Sequence, residues 1–145
     1  MITFTHERHI NASPEAVFAA VEDPVRLATW WGPDGFTNTF SVFDFRVGGR
    51  WEFVMHGPQG AEYPNQCEFM EVVPGRRVVV RHLSLPHFSL SIELHPAAQG
   101  TRVDWRQSFD DDKTAQAVKH IVEPANEQNL TRLAHEVERV VGRGA

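Results

Sequence analysis

The spacing of hydrophobic and polar positions changes twice along the chain and divides it into three stretches. Strand-forming residues from Thr3 to Ile10 predict an opening strand. Ser13 then stands where an N-cap is wanted, Pro14 suits the first helical position, and Val17, Phe18 and Val21 line one face. The signal repeats at once: Asp23 caps, Pro24 starts, and Leu27, Trp30 and Trp31 are the apolar positions of a second short helix. From Phe36 to Phe109 the period is two. Strands are predicted near 36–44, 50–57, 63–73, 77–84, 87–95 and 101–109. Val47-Gly48-Gly49, Gly57-Pro58-Gln59-Gly60, Pro74-Gly75, Leu85-Pro86 and Pro96-Ala97-Ala98-Gln99-Gly100 separate them. Trp51, Phe53 and Met55 point one way, with Glu52 and His56 opposite. Phe88, Leu90, Ile92 and Leu94 alternate with serines, Glu93 and His95, and Val103, Trp105 and Phe109 share a face opposite Arg102, Asp104 and Arg106.

After Asp110-Asp111-Asp112, a natural helix N-terminus, the period becomes 3.6. Ala115, Val118 and Ile121-Val122 begin a helix that Pro124 is expected to end or kink at Glu123. Leu130, Leu133, Val137 and Val140 carry a further helix of about four turns. The alternative is one long bent helix from about 112 to 141. Short connections between the strands demand antiparallel neighbours. The fold class is therefore α+β: a curved antiparallel sheet of about seven strands, two short helices after the first strand, and a long C-terminal helix covering the apolar face. A bent sheet gripping one helix leaves a space wherever facing side chains do not fill it, and such spaces are ordinary small-molecule sites.

A length of 145 residues fits one domain, expected to span 1–145. The 41% hydrophobic and 23% charged content is that of a soluble globular protein. A net charge of -5 speaks against a nucleic-acid partner, which needs a basic face. Cys67 is the only cysteine, so no intramolecular disulfide is expected. No apolar run approaches the roughly 20 residues of a membrane span. The first residues lack the apolar core of a signal peptide, and a cytoplasmic location is the expectation.

Several motifs, in order, resemble one known family. They are Ser13-Pro14-Glu15-Ala16-Val17-Phe18, Asp23-Pro24, Leu27 with Trp30-Trp31-Gly32-Pro33, Gly48-Gly49-Arg50-Trp51 with Phe53 and Met55, Glu71-Val72-Val73-Pro74, and Glu127-Gln128-Asn129-Leu130-Thr131-Arg132-Leu133. The chain resembles the SRPBCC or START-like superfamily over roughly residues 3 to 141. Within it, the likeness is to bacterial homologues of the heat-shock-protein-90 ATPase activator. The resemblance implies a helix-grip fold. That fold hosts lipid carriers, hormone receptors, cyclases, hydrolases and co-chaperone domains, so the implied function is broad.

Candidate chemistry is sparse. The eight histidines hold no His-Glu-x-x-His pattern and no spacing that dictates three converging ligands, so no metal and no cofactor is expected. His82 shares a strand face with Val78 and Val80; facing inward, it is either a polar group in an apolar cavity or a satisfied structural histidine. Tyr63, Asn65, Cys67 and Phe69 share another face, with Tyr63 able to donate to a ligand. Glu123, Asn126, Gln128 and Asn129 surround Pro124, where they are expected to satisfy helix carbonyls freed by the proline or to meet a ligand. Glu127 and Arg132 are expected to face solvent.

The leading expectation is a binding module for a hydrophobic or amphipathic small molecule or lipid, held between sheet and C-terminal helix. Its cavity or rim would be drawn from Trp30, Trp31 and Phe36, then Trp51, Phe53 and Met55, then Tyr63, Phe69, His82 and Trp105, with Tyr63, His82 and Asn129 orienting the ligand. No catalytic residue is assigned. The alternatives are a co-chaperone-like domain acting on the heat shock protein 90 ATPase, which the resemblance implies, and a cavity enzyme using a group such as His82. Monomer and homodimer both remain open.

Overall fold

The computed structural model describes residues 1–144. Strand β1 (Ile2–Ile10) is followed by helices α1 (Pro14–Glu22) and α2 (Pro24–Trp30). Then come β2 (Thr37–Phe43), β3 (Arg50–His56), β4 (Glu62–Val73), β5 (Arg77–His82), β6 (Phe88–Ala97) and β7 (Gly100–Phe109), and last helix α3 (Asp112–Gly144). The two short helices form for the reasons their sequence gives. Ser13 Oγ accepts from the Ala16 N–H at 3.2 Å, ahead of Pro14. Asp23 closes one helix and opens the next: its N–H donates to Ala19 O, and its carboxylate accepts from the Val25 N–H at 2.9 Å.

The strands form one antiparallel sheet in the order β1-β7-β6-β5-β4-β3-β2. Bulges between Phe40 and Val42, and between Phe69 and Glu71, interrupt the pairing, and such extra residues bend the strand that carries them. Boundaries fall within one or two residues of expectation. The main difference is β6, which runs through Pro96 to Ala97, leaving the turn to Ala98 and Gln99.

Helix α3 is continuous over 33 residues, about 50 Å long, so Pro124 does not end it and the alternative of one long helix from about 112 holds. The proline ring is exposed, which leaves the His120 carbonyl that it deprives of a donor on the solvent side. Packing of both halves of the helix offsets the loss. Of the three acidic residues at its start, Asp111 is the cap, accepting from the Thr114 N–H at 3.0 Å, while Asp110 turns to Arg81 and Asp112 opens the helix. Polar ties also hold α3 to β1: His6 Nδ1 lies 2.6 Å from Glu127 Oε2, and Arg8 donates to Thr131 Oγ1 at 2.8 Å. The Glu127 carboxylate faces solvent as expected and serves as a latch at the same time.

Apolar side chains gather in two clusters. The larger joins Ile10, α1 and α2 to the middle strands and to Leu130, Leu133 and Val137 of α3. The smaller groups Phe4, Phe109 and Ala115, with Val118 and Val122 packed against it. Phe88 touches both.

Candidate functional site

The buried stripe of α3 turns polar halfway along. Val118 and Val122 serve the smaller cluster, Leu130, Leu133 and Val137 the larger, and between them Asn126 and Asn129 face inward. An asparagine cannot pack as a leucine does, and a cavity of about 160 Å³ lies at this change. Val122, Ala125, Asn126 and Asn129 form its helical side. The sheet side carries Phe53, Met55, Asn65, Cys67, Val80, His82, Phe88, Leu90 and Gln107, and Trp31, Gly32 and Pro33 form one end. A broader hollow of about 650 Å³ lies against the first half of α3, but it is an open one lined by His6, Gln116, Lys119, His120, Glu123, Pro124 and Glu127, with no aromatic or aliphatic core side chain to close over a ligand.

The end of the cavity is a turn held from α3. Trp31 closes α2, its N–H donating to Leu27 O, and Gly32 follows at φ +99°, a conformation that favours glycine. A Cβ there would stand 2.9 Å from Met55 Cε. Asn129 spends its amide on this turn, accepting from the Gly32 N–H at 3.3 Å and donating to Trp30 O at 3.2 Å. Gln128 Oε1 accepts from the Asp34 N–H at 3.1 Å. Arg132 does most. Its Nη1 donates to Gly32 O at 2.8 Å, Pro33 O at 2.7 Å and Trp31 O at 3.3 Å, and its Nη2 to Thr29 O at 2.9 Å and Phe36 O at 3.1 Å. Burial draws its pKa below the ordinary value, against a smaller opposing pull from Asp34. Expectation is corrected on two counts. Arg132 does not face solvent, and Asn126, Gln128 and Asn129 serve the sheet, the end of α2 and the turn after it rather than the α3 carbonyls freed by Pro124.

His82 is buried and stacked on Phe88, centroids 4.4 Å apart and planes 9° off parallel. Its Nδ1–H donates to the Pro86 carbonyl at 2.8 Å, and its Nε2 lies 2.6 Å from the Asn65 side-chain amide, whose NH₂ donates to it when the ring is neutral, so neither nitrogen is free for a ligand. Burial pushes its pKa down; hydrogen bonding of the ring to the Pro86 and Ser84 backbone pushes up by less, and His87 and Arg81 push down further. The native state therefore favours the neutral ring. As pH falls below about 6.5 the unfolded chain takes the proton first, and stability drops until the lowered native value is passed. Urea unfolding at pH 7.5 and pH 5 is expected to show a larger loss for the native chain than for His82→Gln. Equal losses would remove this role from His82. Cys67, its cross-strand neighbour, has its thiol pushed up to about 12 by burial, which a smaller pull from Arg50 opposes. It stays a thiol at neutral pH and is no nucleophile.

Of the residues singled out from sequence, Trp31, Phe53, Met55, His82 and Asn129 line the cavity. Trp30, Trp51, Phe69 and Trp105 lie in the core behind it, each about 1% exposed, Trp51 stacking flat on Phe69. Phe36 packs against Tyr63, centroids 6.0 Å apart, with Tyr63 half exposed beside Met55 at the edge. Gln107, Asn65, Asn126 and Phe88 line the cavity too. Gln107 was visible as the polar member of the inward series Val103, Trp105, Gln107, Phe109.

The fold is shared with several solved bacterial proteins. One from Nitrosomonas europaea is 21% identical with a TM-score of 0.89, covering 97% of each chain. One from Chromobacterium violaceum is 27% identical with a TM-score of 0.84, covering 95% of this chain and 99% of that one. An AHSA1 protein of Silicibacter pomeroyi is 24% identical with a TM-score of 0.75, covering 94% and 97%. No curated protein matches the sequence. The family described as Activator of Hsp90 ATPase homolog 1-like protein matches residues 11–138, well over half of the chain, and the protein belongs to that family.

Proposed function

We propose that the protein binds a small molecule in the cavity between the sheet and α3. The observation that carries this reading is the composition of the wall: aromatic and aliphatic side chains line a half-open cavity of about 160 Å³ with a few amides set among them. Apolar burial would supply affinity and the amides orientation. The volume is well below the roughly 300–1,000 Å³ that holds drug-sized ligands, so a compact molecule fits better than a lipid chain. Trp31 lines the cavity and makes tryptophan fluorescence a direct reporter. Titration with toluene is expected to give a saturable change, lost in Ala125→Phe, whose ring would occupy the space. No saturable response, or the same response in that variant, would sink the reading.

The family description favours a second reading, action on the heat shock protein 90 ATPase. The most exposed large apolar residues, Met1, Val25, Val47, Leu85 and Ile121, come from five different segments rather than one face of one element. The same variant separates the two: a co-chaperone surface keeps stimulating the ATPase in Ala125→Phe, because the change is made in the cavity wall.

A further inference from the structure

The cavity holds one polar feature with a direction. Asn126 Nδ2 donates to Gln107 Oε1 at 3.0 Å, joining α3 to β7. This bond uses the donor of one amide and the acceptor of the other. Among the described residues, the Gln107 NH₂ and the Asn126 carbonyl have no protein partner, and neither is sealed off. Both residues line the cavity and are only 8% exposed, so the surface those groups keep faces the cavity. Turning both amides over leaves the same result, one open donor beside one open acceptor. The other polar groups are spoken for: Asn129 holds the turn, and Asn65 and His82 hold each other.

We propose that the cavity takes a neutral, single-ring aromatic compound carrying a primary carboxamide or a lactam, its carbonyl accepting from Gln107 and its N–H donating to Asn126. The proposal rests on the cavity reading above. Three constraints select the class. The first is size: about 160 Å³ is close to the ~150 Å³ of an engineered apolar cavity that accepts benzene. Charge is the second. No Lys, Arg, Asp or Glu lines the cavity, and an ionised ligand would be buried without a counter-charge. The third is valence. A primary amide or a lactam presents N–H and C=O on the same side and closes a ring of three amides with Gln107 and Asn126. A trans secondary amide points them apart. Trp31, Phe53 and Phe88 supply aromatic faces for the ring.

Calorimetric titration at pH 7 with benzamide, acetophenone, benzoate and toluene tests this. Acetophenone has the shape of benzamide but puts a methyl group against the Asn126 carbonyl. An unpaired buried acceptor makes it at least about fivefold weaker. Benzoate is expected to bind weakest of the isosteric three. Gln107→Leu should bring benzamide and acetophenone within about twofold of each other, and the wild-type ranking decides alone if that variant does not fold. Toluene binding with no benzamide advantage, or with benzoate as tight as benzamide, overturns the ligand class and leaves the cavity reading standing. Binding of neither toluene nor benzamide overturns both.

Discussion

Replacing Arg132 by leucine is expected to cost about 3 kcal/mol or more, one of the largest losses from a partly exposed position. One guanidinium serves the carbonyls of Thr29, Trp31, Gly32, Pro33 and Phe36, which converge because the chain turns sharply after α2. Its planar fork can meet several acceptors at once. Leucine fills the stem but leaves those oxygens to water, and each that stays buried costs about 1–3 kcal/mol. Total stability of a chain this size is roughly 7–20 kcal/mol, so the loss is a sizeable share. Lysine keeps the charge on a single nitrogen and should recover only part. The turn carries Trp31, Gly32 and Pro33 into the cavity wall, so toluene binding should fail at denaturant levels where the sheet persists. Urea unfolding of Arg132→Leu and Arg132→Lys, followed by tryptophan fluorescence and by far-ultraviolet circular dichroism, checks both parts. A cost below about 1 kcal/mol would mean that water replaces the guanidinium freely and that the turn holds itself.

Arg132 also shows where the sequence stops being readable. Everything set by neighbours along the chain is legible: Ser13-Pro14 and Asp23-Pro24 start the helices, period-two alternation gives the strands, and Gly/Pro breakers place the turns. Inward faces follow from alternation, which is why Phe53, Met55 and His82 come out on the cavity side. Arg132 looks like an ordinary solvated helix residue because its acceptors lie about a hundred positions earlier, and only the packed fold brings them near. The Gln107–Asn126 pair is hidden in the same way. Each residue is visible as a polar break in an apolar series, yet nothing local says that the two series meet. Depth is equally invisible. Alternation puts Trp51, Phe69 and Trp105 on the right face, but whether a ring lines a space or lies behind it depends on the layer in front. Pro124 reads as a helix break because its cost of about 3 kcal/mol is local, whereas the contacts that offset it span both clusters.

The adjacent tryptophans should separate cleanly under mutation, because one is structural and the other is wall. Trp30 is 1% exposed, edge-on to Trp31 at 5.7 Å and to Trp105 at 6.3 Å. Its indole N–H donates to Ala20 O at 2.8 Å, serving one of the last carbonyls of α1, which have no partner within the helix. Trp30→Ala therefore removes a buried ring and strands a helix end, for about 3–5 kcal/mol. Trp30→Phe keeps most of the packing but leaves the Ala20 carbonyl unpaired, isolating about 1–3 kcal/mol of that loss. Trp31 is only half-buried and faces the cavity, so Trp31→Ala should cost less and enlarge the space instead. In that variant ligands larger than toluene should gain relative to toluene, while Trp30→Phe leaves their order unchanged. Equal destabilisation by the two alanine variants, with no change in ligand order for Trp31→Ala, would place Trp31 in the core with Trp30. The cavity would then lose its aromatic end, and the binding reading its best-placed side chain.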